Sequence, residues 1–497
     1  MIVAQTRADY DRLERAAELI RQQQIANAEA EIEAVLRVTP RDPNALNLLG
    51  VIRAQQKHGP EAEQLFLRAL KQSPALIAAY LNLGKIYSEQ QNAERALWAF
   101  LEASKLSPDR ADVNFNLASL YVDRHEYQRA LEYLEKIPSS QWGVEGLYLG
   151  LQSYLNSGRT GEALALTSAI KEAREVTEEQ TAGFAVVLLK HHLPDQAIDL
   201  LEPSSRQHPH SYLLLYQLGA SYAQKEQWNR AEEFYNAALA AKPDDANALL
   251  ALGRAARVQG DFEKALAHLV RARRVAPESP QVLYDFGLTA LQMDLVLDAL
   301  PVFQRLQQIR PDEPAYLYML AVATYRHDEK DRTEALMRRY IRLRPRDALG
   351  YYLLGATLFS VKRPDEAETM LLQSVALSPN ADAEYLLGRI ADDKGDTAAA
   401  LGWLERAVKS EPRRSAAHTA LGTIYYKTNS YSLAQRELSL AIQLNANDLR
   451  AHYQLGLVYI KIGDKEQAQK MFARADELRN QQRKQETIGF KLIDGPQ

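Results

Sequence analysis

The sequence predicts an all-α protein, an α-solenoid of antiparallel helix pairs. Three observations carry that prediction. An alanine returns at a nearly constant interval: Ala28, Ala62, Ala96 and Ala130 are 34 residues apart, Ala163 follows after 33, and Ala197, Ala231, Ala265 and Ala299 after 34 each. The series continues through Thr333 to Ala367, Ala400, Ala434 and Ala468. Twelve residues before these positions stands another small residue, such as Gly50, Gly84, Gly219 or Gly456, with alanine at Ala16, Ala118, Ala185 and Ala321. Twelve residues after most of them stands a proline, and ten of the twenty prolines, from Pro40 to Pro412, obey this one period.

Each element of the unit follows from its residues. The first helix is read from stretches such as LNLGKIY, with apolar residues three and four apart. A polar turn follows, for example SEQQN at residues 88–92. The second helix, ALWAFLEASKL in the same unit, repeats the helical spacing. The proline and its polar neighbours then stop one unit and start the next, because proline cannot continue a helix. A hairpin of this length cannot bury its apolar face alone, so neighbours must stack into a continuous core.

The residues that repeat resemble the tetratricopeptide repeat family. In one unit the match comprises Leu83 with Gly84, the aromatic Tyr87, Ala96, Phe100, Ala103 and Pro108. The same frame holds in LGASYAQKEQWNRAEEFYNAALAAKP, LGTIYYKTNSYSLAQRELSLAI and LGLVYIKIGDKEQAQKMFARA. The resemblance covers about fourteen units over residues 9–482, which leaves a lead of residues 1–8 and a tail of 483–497 expected to be mobile. It implies a right-handed superhelix whose concave groove is lined by the first helices.

Residues 136–184 break the pattern. Two register prolines are missing, one repeat has 33 residues, and Leu151 takes the place of the small residue. Bulk at a close helix crossing is expected to push the helices apart or shift their angle. Drift in a tolerant solenoid and a hinge between two arms are both open readings.

Composition limits the function classes. The chain has 497 residues, is 46% hydrophobic and 25% charged, and carries a net charge of −4, so bulk electrostatics favour neither nucleic acid nor an anionic membrane. No apolar run approaches a membrane span. The opening MIVAQTRADY shows no secretory signal, although IVAQT is also what a cleaved leader would leave. The compartment therefore stays open between cytoplasm and, with a leader removed, periplasm or the extracellular space. The absence of cysteine removes disulfides, thiol nucleophiles and thiolate metal sites. Phosphate loops, dinucleotide fingerprints, nucleophile elbows and zinc-protease motifs are absent, so no enzyme and no cofactor is expected. His191, His192, His208 and His210 cluster in sequence, but the repeat frame puts the two pairs at opposite ends of a helix, roughly 20 Å apart. The run Arg338, Arg339, Arg342, Arg344 and Arg346 reads either as a docking patch or as a solvated convex face with nearby acids.

In the frame that the resemblance supplies, positions two, five, six, nine, twelve and thirteen of each unit face the groove. Position five carries an aromatic stripe: Phe115, Tyr148, Tyr216, Tyr284, Tyr318, Tyr352, Tyr385 and Tyr453, with Tyr325 at position twelve. Tyrosine offers flat apolar area with a polar tip at low entropic cost, which suits a binding surface. Packing between neighbouring helices is the other reading of the same rings. Asn82 and Asn116 are similar to asparagines that hold peptide backbones in some superhelical members. Lys85 does not complete the clamp of chaperone-tail-binding members, and Arg254 adds charge in the groove. The expectation is a non-catalytic scaffold binding a peptide segment of a partner protein. Two alternatives are a scaffold of an envelope or polysaccharide-export system contacting saccharide, and the repeat arm of an enzyme complex whose catalytic part lies on another chain. Neither the partner nor the oligomeric state can be read from the residues.

Overall fold

Helix pairs account for the architecture. The computed structural model describes the backbone of residues 7–173 and 176–493 and the side chains of 7–173 and 176–481. Among the described residues there are 28 α-helices and one 3-10 turn, with no strand. First helices are mostly 13 residues long and second helices 14, and each packs antiparallel on its partner. The first helix starts at Arg7, inside the expected lead, and the last runs Lys465–Ile493 through most of the expected tail. Its Gln, Lys, Arg and Glu content favours helix. Residues 1–6 and 494–497 lie outside the described residues.

The chain divides into two compact units, Met1–Pro243 and Asp244–Gln497, where the sequence reading expected one solenoid. The division falls at a register proline, and each unit holds seven hairpins. Within a unit, nearly every first helix touches the first helix of the next hairpin. Second helices meet comparably only at Thr160–Glu172 with Pro194–Gln207, inside the irregular segment. The first helices therefore form the inner face of each unit.

The small residues explain how the hairpins close. A methyl group added to Gly84 would stand 2.6 Å from Phe100 Cδ1 and closer still to Cε1. The same holds for Gly50 with Phe66, Gly219 with Tyr235, Gly287 with Phe303 and Gly456 with Phe472. In each case the ring, buried except for the half-buried Phe472, lies sixteen residues on, in the second helix. Where alanine replaces the glycine, the residue sixteen on is aliphatic: Ile32, Leu134, Leu201 or Met337. Aromatic rings sit only opposite glycine, because the ring needs the room of the missing Cβ. Packing thereby offsets the roughly 1 kcal/mol helix cost of glycine.

The turns are equally uniform. Each holds one left-handed residue, from Gln23 and Lys57 through Gly260 and Gly395 to Asn429 and Gly463. The next N–H then reaches back five residues, as Asn92 does to Tyr87 O at 2.8 Å and Glu126 to Tyr121 O at 2.8 Å. This closes the first helix with its last carbonyls satisfied. Side chains at Asp42, Asn92, Asp261 and Asn380 then accept from backbone N–H groups and cap the helices that follow.

Position four holds a further repeated device. Asn114 Nδ2 donates to Pro108 O at 2.9 Å, and His418 Nε2 lies 2.9 Å from Pro412 O, so a buried side chain ties the proline loop to the helix six residues later. Between hairpins, a buried tyrosine reaches back to a glutamate. Tyr87 donates to Glu63 at 2.9 Å, Tyr154 to Glu135 at 3.1 Å, and Tyr425 to Glu405 at 2.8 Å.

The irregular segment keeps the close approach by other means. Pro138 ends the helix Tyr127–Leu134 after eight residues, since its ring would meet the carbonyl four residues back. Trp142 fills the gap, buried over Gly146 and Gly150, with Nε1 donating to Ile137 O at 2.8 Å. The small residue has moved to Gly150, which faces Leu166, again sixteen residues on. Residues 174 and 175 of this segment lie outside the described residues.

Two outcomes are expected. Gly84→Ala lowers unfolding stability by about 1–3 kcal/mol through overpacking. The loss shrinks in a Phe100→Leu background, and equal losses in a double-mutant cycle refute the ring-on-glycine account. The second concerns pH. Burial first, then the glutamate bond, pushes the hydroxyls of Tyr87, Tyr154 and Tyr425 from 10.0 up to about 12. The folded state therefore holds these protons longer than the unfolded chain does. Their contribution is complete below pH 10 and is lost between about 10 and 12. Urea midpoints should fall over that window, and less steeply when the three are changed to Phe.

Candidate functional site

The inner face of each unit is built from position five outward. In the first unit, Phe115 on the helix Ala111–Asp123 and Tyr148 on Gly143–Asn156 line one cleft of about 490 Å3. Leu149, Gly183 and Phe184 complete its apolar wall, with Glu145 and Glu179 at its edge. The Tyr148 ring meets Phe184 edge-on at 5.7 Å and remains 37% exposed. Tyr216 does not enter this cleft. It stacks on Tyr212 at 5.8 Å and leans on Tyr235 at 5.6 Å.

The asparagines turn inward to the protein. Asn82 Nδ2 donates to Asn47 Oδ1 at 3.0 Å, which links two consecutive hairpins. Asn116 Nδ2 donates to Asp112 O at 2.6 Å on its own helix. Lys85 is exposed. The Arg110 guanidinium, with a smaller contribution from Lys85, holds the Asp112 carboxyl below the usual range.

In the second unit the stripe is half structural. Tyr284 packs edge-on against Phe303 at 6.2 Å, while Tyr318 tilts against Tyr340 at 5.5 Å and Tyr453 against Phe472 at 5.6 Å. Phe303 and Phe472 are rings that rest on a glycine. Burial raises the hydroxyls of Tyr284, Tyr318 and Tyr352. Tyr325 carries the Lys330 ammonium 3.9 Å from its ring centre. Arg254 is engaged as well. Its Nε donates to the buried Asp285 Oδ2 at 2.8 Å, and Arg257 reaches Asp285 Oδ1 at 3.4 Å.

Tyr385 and Tyr453 come together at a second cleft of about 480 Å3, with Arg389, Thr419, Thr423 and Gln454. Arg389 donates to Tyr385 OH at 3.1 Å and lies 5.9 Å from the Phe359 ring centre. Arg414 stands over the other side of Tyr385 at 5.1 Å and is tied to Asp382. Burial lowers the Arg414 guanidinium. This cleft is polar and of mixed charge, with Arg389, Arg450 and Arg479 beside Asp392, Asp393 and Asp448, unlike the apolar, acidic-edged one of the first unit.

The remaining sequence candidates are placed away from these surfaces. Arg338 pairs with Glu334 at 2.8 Å and Arg339 with Asp312 at 2.6 Å, which favours the solvated-face reading for that part of the run. His208 Nδ1 lies 2.9 Å from Glu178 at the start of the helix Glu178–Lys190, whereas His191 closes its other end. Among the described residues no group of His, Asp and Glu could hold a metal ion, and no helix is long and apolar enough to cross a membrane. Sequence reasoning missed Leu149, Glu145, Glu179, Gly183 and Phe184. The usable signal was Ala182 and Gly183 at positions five and six of their unit, where other units carry large groups.

Comparison with known proteins gives one family and several folds. The family model described as "Tetratricopeptide repeat" matches residues 13–77, 81–143, 250–314, 284–348 and 352–417, more than half of the chain. A second model of that description matches 188–256, and one described as "Anaphase-promoting complex, cyclosome, subunit 3" matches 393–475. No curated protein sequence matches the chain. Among solved structures, the chain is similar to that of the APC/C hetero-tetramer Cut9-Hcn1, with 18% identity over 96% of this chain and 94% of that one and a TM-score of 0.41. A tetratricopeptide repeat protein from Parabacteroides merdae gives 19% identity over 49% and 96%, with a TM-score of 0.40. YrrB, titled a TPR protein with an unusual peptide-binding site, gives 20% identity over 36% and 92%, with a TM-score of 0.31.

Proposed function

We propose a function for a chain that belongs to the tetratricopeptide repeat family: it is a non-catalytic adaptor that binds peptide segments of partner proteins on its first-helix faces. Tandem repeats of this family serve as protein-interaction scaffolds. The observation that carries the finer reading is the aromatic stripe. Its rings are anchored on one side by neighbouring rings, Tyr148 by Phe184 of the next first helix and Tyr453 by Phe472 of its second helix, and keep an edge open at 37% and 42% exposure. Rings fixed in this way lose little entropy when a partner covers them. Arg389, Thr419 and Gln454 stand beside Tyr453 as hydrogen-bonding groups for a peptide backbone.

A protein partner fits these rings better than a saccharide. Sugar stacking needs an open ring face. Tyr212 covers one face of Tyr216, and Tyr340 and Phe303 crowd Tyr318 and Tyr284.

The test is partner capture by the full chain carrying Tyr284→Ala, Tyr318→Ala and Tyr352→Ala, read by quantitative mass spectrometry. Retention is expected to fall on the order of tenfold or more, as for truncated aromatic anchors. Because these rings also pack, Tyr453→Ala serves as a second variant on a more exposed ring. Undiminished capture by both variants refutes the reading.

A further inference from the structure

The first-unit cleft holds a glycine that packing does not explain. Gly84 and Gly219 face rings that leave no room for a Cβ. Gly183, in the interior of the helix Glu178–Lys190, meets only Tyr148 Cε2, at an ordinary 3.6 Å. It incurs the helix cost of glycine without a close approach to offset it. What it creates is space. With Ala182 beside it, it removes the two side chains that would fill the inner face between Tyr148 and the next hairpin. The cleft that results, about 490 Å3, is the size of a small ligand pocket or a seat for one large side chain.

Its charges have one sign. Glu145 and Glu179 line the cleft and are exposed, and no lysine or arginine lines it. Neither carboxylate has an ion-pair partner among the described residues, in a chain where surface acids commonly do, such as Glu63 with Arg95 and Glu94 with Arg124. The Glu179 carboxyl is held low by its own backbone N–H at the helix start and then by Thr177, so it stays ionised. The walls are the rings of Phe115 and Tyr148, whose faces attract cations as well as apolar groups, with the fully buried Phe184 as backing for Tyr148.

We infer that this cleft receives a basic peptide segment of a partner: one large apolar side chain, aromatic or leucine, enters over Gly183 between Phe115, Tyr148 and Phe184, and flanking lysines or arginines pair with Glu145 and Glu179. The inference rests on the adaptor reading above and specifies its partner chemistry. The second-unit cleft around Arg389 mixes three arginines with three aspartates and lacks the single sign of charge found here.

A random dodecapeptide display library selected on the full chain tests this, with counter-selection on Gly183→Leu and on the pair Glu145→Gln with Glu179→Gln. Sequences with a large apolar residue flanked by lysine or arginine are expected to enrich on the unaltered chain and not on either variant. The best synthetic peptide should bind each variant on the order of tenfold more weakly and lose affinity as salt rises. Should Gly183→Leu unfold by circular dichroism, the isosteric glutamine pair decides. Enrichment of acidic or neutral peptides, or equal enrichment on the variants, overturns the inference. If the cleft variants behave as the unaltered chain while the tyrosine variants lose their partners, this inference alone falls. If neither set changes, the adaptor reading falls with it.

Discussion

The close approach of the two helices in each hairpin is the constraint on which everything else depends. A buried side chain of the second helix must rest directly on the backbone of the first. The residue beneath it is therefore glycine when that side chain is a ring, and glycine or alanine when it is aliphatic. This contact fixes how far apart the helices lie and how the next hairpin stacks. The tyrosine-to-glutamate bonds and the loop tethers at position four then lock a spacing that the glycine contact has already set.

The same constraint shapes the inner face. Tyr284 and Tyr453 lean on the rings that sit on Gly287 and Gly456. Packing and the proposed recognition are thus not alternatives for these residues. The side of the ring that touches the second helix orients it, and the other edge faces outward. A surface of this kind is rigid because it is continuous with the core. Stability and ring orientation are coupled as a result, and a change that loosens a hairpin also misdirects a ring.

Much of this was legible in the sequence because it repeats. One glycine in a helix is ambiguous, but Gly50, Gly84, Gly219 and Gly456 in one register report an architecture. The partner of each glycine was harder to see. The alanine twelve residues on is the marker that catches the eye, yet the ring sixteen residues on is what demands the space. Leu151 misled for a related reason. A fixed register cannot show that the small residue had shifted by one position to Gly150 or that Trp142 had replaced a lost helical turn. The first-unit cleft was the least legible feature. It is made by what Ala182 and Gly183 lack, and an absent side chain has no pattern of its own. The polar candidates Asn82, Asn116 and Arg254 spend their hydrogen bonds within the protein, a pairing that depends on neighbours 31 to 35 residues away or on the residue's own helix.

The left-handed turn residue carries a further consequence. It recurs in every hairpin, yet only Gly158, Gly260, Gly395 and Gly463 among the regular turns use the residue best suited to it. Gln23, Lys57, His192 and Asp328 adopt the same conformation at a cost, because a Cβ crowds the following carbonyl. The turn is thus imposed by the hairpin around it and not by its own residue. A hairpin consequently brings its own turn with it, although it still needs neighbours to bury its apolar face. Its duplication or loss during evolution would carry its turn geometry along intact, so such a chain can change length in steps of one module while every surviving seam keeps its fit.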